Sequence, residues 1–249
     1  MTAKDATSNI PTDENIRSLI DEIEKTIPVI FTSWEKEYSA SKIHKENGVG
    51  KPISAEVYYK HNPSCPEIAH ELLHIKTSLI LGDNSIMLDN KRFCILFDKK
   101  FCEDFINQSE HVLFYKDYLS MGYPSVEFYE QIEDSGQQYL NILERNGFRT
   151  NGKITEWSLT AFVKLCVLYL SFPIDNRFKT QKKSLKHIES TLYKVVDDYF
   201  KSLSGIHIVP TDRDKAEGLF ESFANNIVAW IDSHKKSMDI NNFFFVVSH

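Results

Sequence analysis

The chain has 249 residues, 42% hydrophobic and 26% charged, with a net charge of −6 at neutral pH. This is an ordinary globular composition, long enough for one large or two small domains with a buried core. The acidic balance argues against a general nucleic-acid binder, and the longest apolar run, near 161–172, is interrupted by Lys164 and too short to span a bilayer.

Taken in chain order, the start Met1-Thr2-Ala3-Lys4-Asp5-Ala6 lacks the apolar core of a signal peptide, so a cytoplasmic protein is expected. Asp13–Thr26 places Ile16, Leu19, Ile20 and Ile23 at helical spacing and is closed by Pro28. Residues 42–51, with lysines, an asparagine and two glycines, read as an exposed loop. Ile53–Tyr59 alternates apolar and polar side chains as a half-buried strand does. After the loop His61-Asn62-Pro63, Ser64 and Glu67 form a capping-box signature with Pro66 in the first turn. Gly82 follows the last apolar residues, so a helix is predicted over 65–81.

Further on, 86–88 and 92–97 read as a hairpin turning at Asp89-Asn90, and helices are predicted over 98–122 and 125–145. Asn146–Lys153 is the best boundary candidate, dividing a first domain, 1–147, from a helical region, 154–249, that can also belong to the same domain. That region carries helical patterns at 155–171, 179–203 and 212–235, a short strand candidate at 206–209, and an apolar end at 242–247 that needs a cover. The expected class is α+β and predominantly helical, with a small sheet packed on the 65–81 helix and a helical region following.

The chemistry concentrates in Ile68-Ala69-His70-Glu71-Leu72-Leu73-His74-Ile75, an HExxH motif. Residues four apart share one face of a helix, so His70 and His74 can present two imidazole nitrogens to one zinc ion. Glu71 is rotated off that axis, where it can act as general base towards a water on the metal. The pattern points to a zinc-dependent hydrolase, with a peptidase as the expected kind. In the 98–122 helix, Glu110 and His111 are both acceptable third ligands. His111 lies on the flank of the apolar stripe that carries Tyr115 and Tyr118, and Glu110 on the flank towards Glu103 and Asp117. The four cysteines show no CxxC pair, so reduced thiols are expected. Cys65, at a helix N-terminus that lowers a thiol pKa, reads either as the reactive one or as an inert helix-start residue. No P-loop, GxGxxG or GxSxG motif is present.

A strand directly before an HExxH helix resembles the zincin metallopeptidases, over residues 53–82 and most specifically at His70, Glu71 and His74. The resemblance implies that an edge strand pairs with an extended peptide substrate. Glu67 and Lys76 depart from the family's uncharged positions. A metzincin would carry Gly at 77 and His at 80, whereas Thr77 and Ile80 stand here. The gluzincin-like and ImmA/IrrE-like branches remain, and these favour Glu110 as third ligand while the helical pattern favours His111. The resemblance implies a Zn2+ cofactor and a protein or peptide substrate, while charge and hydropathy lead to the expectation of no nucleic-acid or membrane partner. The alternative is a non-catalytic helical binding or regulatory module with a structural zinc or none. A host-specific defence or toxin-like metalloprotein is a third option.

Overall fold

The computed structural model describes residues 10–48, 50–82, 93, 97–125, 128, 133–172 and 178–239. Contacts group the chain into two units, Met1–Gly82 with Phe114–Glu130, and Asp83–Leu113 with Gln131–His249. The class is α+β and predominantly helical, with eight α-helices and a small mixed three-stranded sheet among the described residues.

In the first unit, α1 (Glu14–Glu24) begins at Asp13, whose side chain accepts the Ile16 N–H at 2.9 Å. It buries Ile16, Leu19, Ile20 and Ile23 along one stripe. Three strands follow: β1 (Val29–Ser33), β2 (Ala40–Lys45) and β3 (Pro52–Tyr59). Their order is β1-β3-β2, with β1 parallel and β2 antiparallel to β3.

Two expectations are corrected here. Residues 40–45 are a strand, not loop: their side chains are mostly half-buried, and their backbone pairs with 52–58, so strand pairing overrides a loop-like composition. Only the tip stays a turn, with left-handed backbone at Asn47 and Gly48 and a Gly50 N–H to Glu46 O bond of 2.7 Å. As a consequence β3, the strand before the HExxH helix, is the centre of the sheet and has no free edge to offer a peptide. Ala55 and Val57 on β3 are fully buried, while Glu56 and Tyr58 point to the other face.

The HExxH segment is α2 (Cys65–Leu81), packed on β2, β3 and α1. Its start is the predicted capping box: Glu67 N–H donates to Ser64 Oγ at 3.4 Å, and Ser64 N–H to Glu67 Oε2 at 2.8 Å. Both charged departures in the motif's surroundings have work to do. Glu67 closes the cap and pairs with Lys60 at 2.6 Å, and Lys76 pairs with Glu22 of α1 at 2.9 Å. Ile68, Leu72 and Leu73 are fully buried, each contributing about 1.5–3 kcal/mol of apolar burial.

The next helix, α3 (Lys99–Ser120), starts at Asp98, which accepts the Phe101 N–H at 2.6 Å. It is one continuous helix: Phe114 to Ser120 belong to the first unit and the earlier residues to the second. The expected hairpin near 86–97 lies almost wholly outside the described residues. Phe93 is helical, and the Phe97 N–H reaches its carbonyl at 3.1 Å.

In the second unit, α4 (Glu133–Asn146) takes up the later part of the helix expected over 125–145, of which Ser125 and Phe128 are also helical. A hairpin of β4 (Arg149–Thr150) and β5 (Lys153–Ile154) follows, turning through left-handed Asn151 and Gly152. It occupies the stretch where the sequence suggests a domain boundary, and it joins α4 to α5 (Glu156–Leu170), which pack on each other. The single helix expected over 179–203 is two, α6 (Lys179–Ile188) and α7 (Ser190–Leu203). Glu189 between them is extended and accepts the Thr191 N–H as the cap of the second.

Residues 206–209 form no strand, and no strand among the described residues pairs with them. They lead into a short 3-10 turn where Asp212 accepts the His207 N–H at 3.1 Å. Helix α8 (Arg213–His234) is the last α-helix among the described residues, and Met238 bridges to Ile154. The core of this unit is aromatic: Phe105 stacks on Phe223 at 4.8 Å and on Tyr199 at 5.3 Å, and Tyr199 donates to Ser109 at 3.1 Å. The apolar segment 242–247 lies outside the described residues.

Candidate metal centre

Helix α2 places His70 and His74 on one stripe, as four-residue spacing requires. Their Nε2 atoms are 3.2 Å apart. Two nitrogens bound to one tetrahedral zinc at about 2.0–2.1 Å would be separated by about 3.3–3.4 Å, so the pair already has the spacing of two ligands. On α3, Phe114 and Tyr118 face the HExxH histidines. Phe114 meets His70 edge-on at 5.5 Å and His74 at 4.8 Å, and Tyr118 meets His70 at 6.5 Å. His111 is one turn before Phe114 on that helix and therefore shares its face.

A donor nitrogen from each of His70, His74 and His111 lies within 4.8 Å of the other two. It is the one such group of three or more candidate ligands found among the described residues. Glu110, although buried to 8% exposure beside His111 at 5%, adds no oxygen to it. The same is true of Glu71, which is half-buried on α2 just beyond His70. The donor set suits a borderline-soft divalent ion: three imidazoles, joined by no carboxylate among the described residues.

Desolvation sets the electrostatics of the centre. Burial, with a smaller contribution from the neighbouring His74, holds the His70 imidazole well below its ordinary pKa. The neutral ring, with a lone pair to offer, is therefore its form at physiological pH. Phe128 supplies much of the enclosure: its ring is 4.7 Å from His70, 4.9 Å from Tyr118 and 5.0 Å from Tyr115. Sequence reasoning did not single out Phe114 or Phe128. For Phe114 a signal existed, since it stands three residues after His111 on the same helical face. For Phe128 there was none, because its contact depends on the chain's return after α3.

The start of α2 is tied to α1 through Asp13. Tyr123 donates to Asp13 Oδ2 at 2.6 Å, and Asn15 donates to the Met121 carbonyl at 3.0 Å. Cys65 sits against the same carboxylate. Burial, and after it the Asp13 charge, push its thiol pKa up. Cys65 is thus a protonated helix-start residue, and it contributes nothing to the histidine cluster. Cys65, Cys102 and Cys166 form no disulfide among the described residues.

Across the sheet, on the face away from Ala55 and Val57, Glu56 accepts three hydrogen bonds: from Thr32 at 2.6 Å, Tyr58 at 2.5 Å and His44 at 2.9 Å. Among the described residues, no helix is long and apolar enough to cross a membrane. Compared with known proteins, the chain matches no family model, no curated protein and no solved structure.

Proposed function

We propose that this protein is a zinc-dependent hydrolase, foremost a metallopeptidase, with His70, His74 and His111 as ligands and Glu71 as general base. The observation that carries the reading is the convergence of His111 on the two motif histidines, together with a Glu at the position HExxH chemistry needs. Zinc, when bound, supplies a Lewis acid that polarises a carbonyl and lowers the pKa of water towards about 7. The protein's own part is division of labour. The three imidazoles would hold the ion, and no other His, Cys, Asp or Glu side chain among the described residues joins them. Glu71 takes the proton of the attacking water and returns it to the leaving amine. Phe114 and Phe128 keep bulk water away from His70, which strengthens every charge interaction beside it. The reading places the substrate among extended segments of cytoplasmic proteins.

The test is Glu71→Gln compared with wild type for zinc content and for cleavage of an unbiased peptide library. Wild type should cleave, and the variant should retain about one zinc per chain with hydrolysis reduced at least about 1,000-fold. Cleavage by the variant at the wild-type rate would remove Glu71 from the mechanism. One observation favours a second reading, a structural zinc in a binding module: His70 is heavily enclosed by aromatic rings. Stoichiometric zinc in a wild-type protein that cleaves nothing in the library would support it.

A further inference from the structure

The ligand stripe of α2 does not end at His74. Thr77 follows one turn on, and at about 100° per residue positions 70, 74 and 77 fall within a sector of about 60°. Thr77 is fully buried, 0% exposed, and its hydroxyl has no hydrogen-bond partner among the described residues. Both features are unusual for a threonine inside a helix. Such a hydroxyl ordinarily bonds the carbonyl one turn back, and a buried polar group without a partner is costly. Valine would fill the same space without that cost. Helical side chains lean towards the N-terminus, which directs the Thr77 side chain towards the turn that carries His74. His74 meets His70 through Nε2, and Nδ1 is the ring nitrogen bonded to the carbon that joins the imidazole to the rest of the side chain.

We infer that Thr77 is a positioning residue of the metal centre, its hydroxyl accepting the Nδ1–H of His74 in the zinc-loaded protein. That bond fixes the tautomer in which Nε2 carries the lone pair for the ion, and it satisfies the buried hydroxyl. The inference rests on the metal-site reading and adds to it a residue outside the HExxH motif.

The test measures zinc affinity by chelator competition, and the unfolding temperature of the metal-free protein, for full-length wild type, Thr77→Val and Thr77→Ser. Thr77→Val should weaken zinc binding about 10-fold or more, while its metal-free unfolding temperature stays at or above wild type. Thr77→Ser, which keeps the hydroxyl, should keep wild-type affinity. Unchanged affinity in Thr77→Val overturns the inference and leaves the metal site standing. A parallel loss of affinity and metal-free stability overturns it too, by showing a packing role. Absence of zinc binding in wild type overturns the metal reading and this inference with it. If Thr77→Val does not fold, Thr77→Ala against Thr77→Ser makes the same comparison.

Discussion

The assignment of His111 as third ligand yields the sharpest quantitative expectation. Structural zinc sites with four protein ligands bind with about 10–16 kcal/mol, or roughly 2.5–4 kcal/mol per ligand. Loss of one ligand therefore raises Kd by about 100- to 1,000-fold. At free zinc of about 100 times the wild-type Kd, binding to the native state alone adds about 2.7 kcal/mol. For a chain of 249 residues that corresponds to a rise in Tm of roughly 5–10 °C. With Kd raised about 300-fold, the same zinc adds only about 0.2 kcal/mol, and the shift falls below about 1 °C.

Truncating a side chain that is only 5% exposed also leaves a cavity, which lowers stability with or without metal. The informative quantity is thus the difference between melts of the same variant in zinc and in chelator. His111→Ala should abolish that difference, and Glu110→Ala, prepared identically, should keep it. If Glu110→Ala loses the zinc-dependent shift while His111→Ala retains it, the three-histidine assignment is wrong and the carboxylate is the ligand.

Two further expectations concern the scaffold. Burial pushes the Glu56 carboxyl up, but hydrogen bonds from Thr32, Tyr58 and His44 outweigh it and hold the pKa below the ordinary 4.5. A lowered native pKa contributes stability that is present above the unfolded value and lost as pH falls through the native one. Glu56→Gln should therefore cost about 1 kcal/mol at pH 7 after solvent screening, with the gap to wild type closing below about pH 4. A gap of constant size down to pH 3 would contradict the charge-assisted network. At Gly136 in α4, an added Cβ would lie 2.5 Å from Leu168 Cδ2 and 2.7 Å from the Tyr169 hydroxyl. Gly136→Ala should thus destabilise by about 1–3 kcal/mol, although glycine to alanine in an unobstructed helix stabilises by about 1 kcal/mol. A higher Tm in that variant would show that α4 and α5 are not packed this closely.

The local features of this chain were legible from neighbours a few residues apart. The capping box at Ser64 and Glu67, the stop at Gly82 and the four-residue spacing of His70 and His74 all involve groups within one or two helical turns. The structure has the helix at Cys65–Leu81, as those signals require. The break at Glu189 was less visible, because the sequence on both sides is good helix and only the side-chain cap onto Thr191 marks the junction. What depended on distant partners could not be read in this way. Pairing with 40–45 made β3 a central strand, burial and the Asp13 carboxylate that caps α1 selected the inert of the two readings of Cys65, and the face of α3 turned towards α2 brought His111 to the motif histidines while Glu110 contributed no ligand atom. The sequence by itself determined which residues could bind a metal, because spacing along one helix fixes which side chains share a face. Only the tertiary structure decided which third residue joined them, because Glu110 and His111 are adjacent in the chain and the packing of two separate helices chose between their directions.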